Sequence, residues 1–220
     1  MKHVSVIIPA YNEEKTIEQV INKVKESKIK SEIIVVDNCS TDRTEEIAKE
    51  NGVQVVYCEQ QGKGYAMEAG LLHATGEIIL FIDGDLGIYV QDVVQLMVQP
   101  IIDGQARFTK SAFTREGGRV TELVAKPLIE LLFEEVKSFE QPLSGIIAGE
   151  KDVFARIELE KDYGVDIGIL LDMIINKVPV EEVHIGRIDN NSQSWKSLSK
   201  MAKEVAKAIL KRADINKIKD

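Results

Sequence analysis

The first 86 residues alternate short apolar runs with longer amphipathic segments, and no other feature of the sequence limits the fold as strongly. Apolar runs of strand length lie at residues 4–8, 33–36, 53–57 and 77–82. Residues 13–24, 41–51 and 64–74 have the periodicity or the boundary residues of helices. Strands that alternate with helices predict βαβ units and a parallel sheet.

After residue 85 this alternation becomes less regular. Helical periodicity continues at residues 90–102, 120–133, 164–175 and 197–213, and residues 180–185 form one further predicted strand. Neither an internal repeat nor a low-complexity linker marks a boundary. We therefore expect a single domain over residues 1–220, with a change of character near residue 86.

Charge and composition exclude some classes of protein. The formal net charge of −8 argues against nucleic-acid binding, because phosphate contacts need a basic surface. No apolar run approaches the ~18 to 20 residues that a transmembrane helix requires. The two cysteines, Cys39 and Cys58, are too few for a disulfide framework. We expect a cytoplasmic protein without a transmembrane segment, in which any anionic ligand is bound by local cations, backbone amides or a metal ion.

The strongest local signal is Asp83-Gly84-Asp85, which directly follows an apolar strand. Ligands of open α/β sheets bind beyond the carboxyl ends of the strands, where these two carboxylates are expected to lie. Carboxylate oxygens suit Mg²⁺ or Mn²⁺ bridging a diphosphate. An ordinary Asp-Gly turn explains the tripeptide equally well when it is considered alone.

Three other loops at predicted strand ends carry residues suited to a nucleotide. Residues 9–14 place backbone amides and polar side chains just before a helix. Asp37 could accept a hydrogen bond from a base imide, and Lys63, between Gly62 and Gly64, could reach a diphosphate. Each loop alone is explained by a cap, a turn or an exposed lysine, but four such loops predict one shared site. Its candidate residues are Pro9, Ala10, Tyr11, Glu13, Asp37, Ser40, Lys63, Asp83 and Gly84.

Together these loops resemble the nucleotide-sugar half of GT-A glycosyltransferases of the family-two type. Three later segments, at residues 118–128, 141–149 and 163–168, narrow the resemblance to the glucosyl-3-phosphoglycerate synthases. The resemblance covers nearly the whole chain. It implies an α/β GT-A fold, with a Rossmann-like, mostly parallel sheet flanked by helices. Residues 1–86 then form the donor half, and residues 87–220 form the acceptor half with its C-terminal helix.

The resemblance also implies an activity. A hexosyltransferase of this family moves glucose from an NDP-sugar, UDP-glucose or GDP-glucose, to D-3-phosphoglycerate with retention, in the synthesis of glucosylglycerate. It implies a divalent ion, Mg²⁺ or Mn²⁺, bound by Asp83, Asp85 and Asn190. The catalytic residues it implies are Asp85, Asp166 and Lys63, and the acceptor-binding residues are Gly118, Arg119, Val120, Thr121, Ser144 and Tyr163.

The sequence departs from the family pattern at two positions. Asp166 replaces a glutamate, which keeps the carboxylate but shortens its reach. Asn190 occupies the position of a metal-binding histidine, and the adjacent Asp189 is an alternative oxygen ligand. Two other functions therefore stay open: transfer to another acceptor, such as a polyprenyl phosphate, and nucleotide-sugar binding without catalysis.

The predicted final helix is basic. Residues 196–220 contain eight lysines or arginines and three acidic residues, with apolar side chains at helical spacing. Such a helix could lie on an anionic membrane, or it could pack on the core or on the second subunit of a homodimer. Packing is the expected arrangement, because lysine side chains often cover apolar faces.

Overall fold

Helices cover both faces of one mixed sheet in the computed structural model, which describes residues 2–85, 87–88, 92–114, 118–133, 139–189 and 195–213. The strands are β1 (Val4–Ala10), β2 (Ser31–Asp37), β3 (Gln54–Tyr57), β4 (Ile78–Phe81), β5 (Gly87–Ile88), β6 (Phe108–Thr114), β7 (Ile147–Glu150) and β8 (Val180–Asp189). The helices are α1 (Ile17–Lys25), α2 (Thr44–Glu50), α3 (Lys63–His73), α4 (Val93–Ile102), α5 (Lys126–Leu132), α6 (Lys151–Phe154), α7 (Val165–Ile175) and α8 (Trp195–Arg212). A π-helical turn, Thr121–Ala125, precedes α5.

The strand order is β3-β2-β1-β4-β7-β6-β8-β5. The first four strands pair in parallel, β7 runs antiparallel to both β4 and β6, and β6 is parallel to β8. The short strand β5 pairs antiparallel with the end of β8. The predicted α/β fold with a mostly parallel sheet is confirmed, and the carboxyl ends of β1, β2 and β4 lie at one edge.

Strands β1 and β4 are buried on both faces, which explains why their segments of the sequence are mostly apolar. In β1, Val6 and Ile8 face the cluster formed with α1 and α4, whereas Ile7 faces the cluster formed with α3, α7 and α8. In β4, Leu80 and Phe81 divide between the same two clusters. Each alternation follows the two-residue period of a strand.

Three strands are absent from the sequence-based prediction, and the first of them, β5, is only two residues long. β6 has the sequence FTKSAFT, in which Thr109, Lys110 and Ser111 are fully buried. Because these buried residues are polar, the sequence lacks the apolar pattern of a core strand. β7 is four residues long and contains Gly149. The predicted helices keep their order, although the first begins at Ile17 and the second at Thr44.

The last helix, α8, packs against α7, α5 and the π-helical turn, and Val205, Ala208 and Ile209 are its buried residues. Its apolar face therefore contacts the core, as expected from the sequence. Within the described ranges, no helix combines the length and the apolar character that crossing a membrane requires.

Glu32 on β2 joins three segments at the opposite edge of the sheet from the candidate site. Its carboxylate accepts hydrogen bonds from the hydroxyl of Ser5, from the N–H of Thr75 at 2.6 Å and from the N–H of Gly76 at 3.2 Å. Burial alone would raise the pKa of Glu32, but these hydrogen bonds outweigh it and lower the pKa below the ordinary value of 4.5.

We expect Glu32→Gln to lower the free energy of unfolding at about pH 7 and to have little effect near pH 3. Because the folded-state pKa is depressed, the stabilisation is complete above the unfolded-state value of 4.5 and disappears as the pH falls through the folded-state value. Urea unfolding at several pH values measures the difference. Glu130→Gln, at an exposed position on α5, is the matched control. A stability difference that does not change with pH would contradict this account of Glu32.

Candidate active site

One cavity of about 920 Å³ opens at the carboxyl-end edge of the sheet. Its walls come from the loops after β1, β2 and β4, the start of α3, the turn before α5, the loop before β7, the start of α7 and one side of α8. Fifteen residues predicted from the sequence line it: Pro9, Ala10, Tyr11, Glu13, Lys63, Asp83, Gly84, Asp85, Gly118, Arg119, Val120, Thr121, Ser144, Tyr163 and Asp166. The fold thus brings the predicted donor and acceptor residues to a single cavity.

Two predicted donor residues, Asp37 and Ser40, do not line this cavity. The carboxylate of buried Asp37 accepts a hydrogen bond from the N–H of Ser40 at 3.3 Å, and the hydroxyl of Ser40 accepts one from the N–H of Asn12 at 3.0 Å. Both side chains therefore brace the loops after β1 and β2. Their role in donor binding stays a prediction, and the predicted metal ligand Asn190 lies outside the described residues.

Asn38, which follows Asp37, does line the cavity. Its side-chain amide donates to the carbonyl of Gln60 at 2.7 Å, and its side-chain oxygen accepts from the N–H of Gly62 at 2.8 Å. Asn38 therefore holds the turn from which Lys63 projects. The sequence motif contained this residue, but only the fold shows its partner 24 residues away.

The ammonium group of Lys63 joins two carboxylates from distant parts of the chain. Its Nζ lies 2.6 Å from Asp83 Oδ1 and 2.8 Å from Asp166 Oδ2. Burial alone would lower the pKa of Lys63, but the attraction of the two carboxylates outweighs burial and raises it. Lys63 is thus a permanent cation inside the cavity.

Asp166 is 5% exposed, and its second oxygen, Oδ1, has no hydrogen-bond partner among the described residues. A buried carboxylate oxygen without a donor is costly, so it indicates a missing partner such as a ligand hydroxyl. Because Asp166 lines the cavity, this oxygen is available to a bound sugar or acceptor.

Glycines allow the chain to approach this cluster closely. A Cβ atom added to Gly62 or Gly64 would overlap with the backbone carbonyls of Lys161 or Glu160, and one added to Gly145 would overlap with Asp83 and Lys63. Gly62 also has a φ of 151°, which disfavours other residues. The turn that carries Lys63 is therefore in close contact with the segment before α7, and the Lys63 side chain is in close contact with the loop before β7.

A fully buried lysine, Lys110 on β6, contacts two residues of the cavity lining. The sequence analysis did not predict it. Its Nζ donates to the carbonyls of Ser144 at 2.7 Å and Asp166 at 3.2 Å. Burial lowers the pKa of Lys110 to about 8, although Asp166 opposes this shift. No local motif marks Lys110, because its two partners lie 34 and 56 residues away.

The residues predicted to bind the acceptor include those at the turn before α5. Gly118 has a φ of 87°, and the exposed side chain of Arg119 follows it. The guanidinium carbon of Arg119 lies 4.7 Å from the ring centroid of Trp195 on α8. The same helix lines the cavity with residues that sequence reasoning missed, namely Leu198, Lys200, Met201, Glu204 and Val205.

Comparison with known proteins agrees with this geometry. The profile of Glycosyl transferase family 2 matches residues 5–149. Glucosyl-3-phosphoglycerate synthase of Mycobacterium tuberculosis is 34% identical to the chain, and the alignment covers 96% of this chain and 74% of that enzyme. The chain belongs to the glucosyl-3-phosphoglycerate synthase family.

Solved structures of this family have the same fold. The M. tuberculosis enzyme in complex with Mn²⁺, UDP-glucose and phosphoglyceric acid gives a TM-score of 0.87 at 34% identity, over 96% of this chain and 79% of that one. The same enzyme in complex with Mg²⁺ and UDP gives a TM-score of 0.89 at 34% identity, over 97% of this chain and 80% of that one. The family resemblance predicted from the sequence motifs is therefore confirmed.

The residues after β4 fit a divalent cation of the kind bound in these relatives. Limited hydration within the cavity and the charge of Asp83 raise the pKa of Asp85, while Lys63 opposes them. Burial, and then repulsion from Asp85, raises the pKa of nearby Glu13 to about 7, although a hydrogen bond from Thr16 opposes it. This crowding of carboxylates indicates negative charge that Lys63 alone does not balance.

Oxygen ligands of this type suit Mg²⁺ or Mn²⁺. No group of three acidic, histidine or cysteine side chains converges as a metal site within the described ranges. An ion held by Asp83 and Asp85 would therefore take its other ligands from a diphosphate, from water or from the segment that contains Asn190.

We expect Gly145→Ala to lower turnover and donor affinity by about tenfold or more while leaving the fold intact, because the new methyl group would displace Lys63 and Asp83. Steady-state kinetics and thermal unfolding measure the two effects. Gly52→Ala is the matched control: its φ is 66° and open space surrounds the site of its Cβ, so it should lose stability without changing KM. Wild-type kinetics in folded Gly145→Ala would contradict the importance of this close approach.

Proposed function

We propose that the protein is a hexosyltransferase that moves glucose from a nucleoside diphosphate glucose to the hydroxyl of D-3-phosphoglycerate. The observation that carries this proposal is the cavity itself. A carboxylate pair, a buried lysine and the Gly118–Thr121 turn with Arg119 all line it. Relatives of the same family are named for this reaction and bind UDP-glucose and phosphoglyceric acid.

The donor occupies the side of the cavity formed by the loops after β1, β2 and β4. We assign its diphosphate to Lys63 and to the backbone at the start of α3, because a helix N-terminus and an ammonium group both favour phosphate. Pro9, Ala10, Tyr11, Glu13 and Gly84 line the remaining donor side. UDP is the nucleotide we favour, because it is the one bound in the solved relatives.

The acceptor occupies the side formed by the turn before α5 and by α8. Arg119 offers a planar fork of N–H donors that matches a carboxylate or a phosphate. Thr121, Ser144 and Tyr163 also line the cavity. A small dianionic acid fits these groups better than a neutral acceptor does.

Catalysis then depends on position and charge. When bound, a divalent ion held by Asp83 and Asp85 would stabilise charge on the departing diphosphate. Lys63 adds a fixed positive charge beside the same carboxylates, and Asp166 Oδ1 is placed to accept a hydrogen bond from a substrate hydroxyl. Retention of configuration follows if these residues hold the acceptor hydroxyl on the face from which the diphosphate leaves.

The cytoplasm is the compartment that we propose for this reaction. Cys39 and Cys58 are free thiols, which is typical of a reducing environment. Both substrates of the proposed reaction are small phosphorylated metabolites.

A matrix of NDP-sugars, with D-3-phosphoglycerate and Mg²⁺ or Mn²⁺, tests the reaction directly. We expect mass spectrometry to find a phosphorylated glucoside with an NDP-glucose donor, and we expect a chelator to abolish it until the metal ion is restored. A product formed only with a polyprenyl phosphate would redirect the acceptor assignment. Donor binding without transfer to any acceptor would overturn the catalytic function.

Asp85→Asn should lower turnover by about 100-fold or more, because it removes a charge that the cation and the diphosphate need. Asp103→Asn makes the same change at an exposed position after α4 and should keep full activity. Thermal unfolding verifies that both variants are folded. Near-normal turnover of folded Asp85→Asn would exclude its role in binding the metal ion.

A further inference from the structure

Trp195, the single tryptophan of the chain, begins α8 and is 71% exposed. One face of its ring is close to Arg119, whose guanidinium carbon lies 4.7 Å from the ring centroid. This distance is within the range of a cation–π contact. A large aromatic side chain therefore stands at the edge of the cavity, in contact with the main candidate for acceptor binding.

Packing does not explain this tryptophan. The helix is anchored to the core by Val205, Ala208 and Ile209, each at most 1% exposed, and these residues lie ten or more positions further along the chain. The indole of Trp195 lies outside that core. Its removal should therefore cost the fold little.

The way in which Arg119 is held leaves its hydrogen-bond donors available. Within the described residues, Arg119 forms no ion pair with a carboxylate. Arg212 shows the opposite arrangement, because it donates to Asp172 at 2.7 Å and to Glu160 at 2.8 Å and so uses its fork inside the protein. A guanidinium held by its face instead keeps its N–H edge free for an anion.

We propose that Trp195 is a positioning residue for the acceptor. Its ring holds the guanidinium of Arg119 by the face and directs the N–H edge at the carboxylate or phosphate of a small acid in the cavity. An arginine that is already ordered loses less side-chain entropy when the acid binds. This inference rests on the proposed function for the identity of the acid, and it adds a residue that no sequence motif indicated.

Steady-state kinetics provide the first test. We expect Trp195→Leu to raise KM for D-3-phosphoglycerate roughly two- to fivefold, the effect of losing an exposed cation–π contact, with little change in kcat or in donor KM. Trp195→Phe should retain part of the effect, because a phenyl ring binds a cation more weakly than indole does. Leu72→Ala, at an 80% exposed position near the end of α3, is a control that should change none of these constants.

A double-mutant cycle separates positioning from a direct role. If Trp195 acts through Arg119, Trp195→Leu will have no further effect on KM when Arg119→Ala is already present. Additive effects of the two substitutions would overturn the proposal, and so would an unchanged KM in folded Trp195→Leu.

Fluorescence tests the contact without any turnover, because Trp195 is the only source of tryptophan emission. We expect Arg119→Ala to change the emission of the protein, and we expect D-3-phosphoglycerate or inorganic phosphate to change it in the wild type but not in Arg119→Ala. If neither ligand and no Arg119 substitution alters the emission, the positioning role is wrong. If inorganic phosphate alters it but no glucoside forms from D-3-phosphoglycerate, the positioning role holds and the proposed acceptor fails.

Discussion

The ammonium group of Lys63 is the element on which the geometry of the cavity depends. It lies between Asp83, which follows β4, and Asp166, which begins α7. Withdrawing a charge from water costs several kcal/mol unless a partner offsets that cost. Removing one member of such a cluster therefore lowers the free energy of unfolding by about 3 to 5 kcal/mol. The pairing therefore requires three elements, α3, β4 and α7, to keep a fixed relation to one another.

The same cluster explains how an acidic protein can bind two anionic substrates. With a formal charge of −8, the overall field opposes such ligands, so the attraction has to be local. Lys63, Arg119, Lys161 and Lys200 line the cavity and can provide it. The carboxylates of Asp83 and Asp85 would repel a diphosphate on their own, and they become useful only with a cation between them and the phosphate oxygens.

The sequence predicts the first half of the fold well because β1 and β4 are buried on both faces and their segments are mostly apolar. It predicts the second half less well because β6 buries Thr109, Lys110 and Ser111. Such burial is tolerated only when partners from elsewhere satisfy the polar groups: Ser144 accepts from Lys110, and its hydroxyl pairs with that of Ser111. Those partners lie more than 30 residues away, beyond the range of any local pattern.

In the candidate site, too, some features follow from the local sequence and others depend on the tertiary fold. The turn at Lys63 and the carboxylates at Asp83 and Asp85 follow from loop chemistry at strand ends, whereas the family resemblance was needed to select Asp166. Their ion pairs, which join positions 103 residues apart in one case, depend on the tertiary fold. Asp37 also has a contact that the motif did not indicate, because its carboxylate accepts a hydrogen bond from the N–H of Ser40 in its own loop, while its role in donor binding stays a prediction.

The last turn of α8 supports the turn that carries Lys63. Arg212, in the last turn of α8, pairs with Asp172 on α7 and with Glu160, and Gly168 leaves the space that its guanidinium occupies. The carbonyl of Glu160 in turn lies against Gly64, next to Lys63. Since α8 also carries Trp195 at its other end, the same helix contacts Arg119 through Trp195 and reaches the segment behind Lys63 through Arg212. A shift of α8 would therefore disturb both parts of the cavity lining together, which gives a physical reason for α8 to form part of its wall.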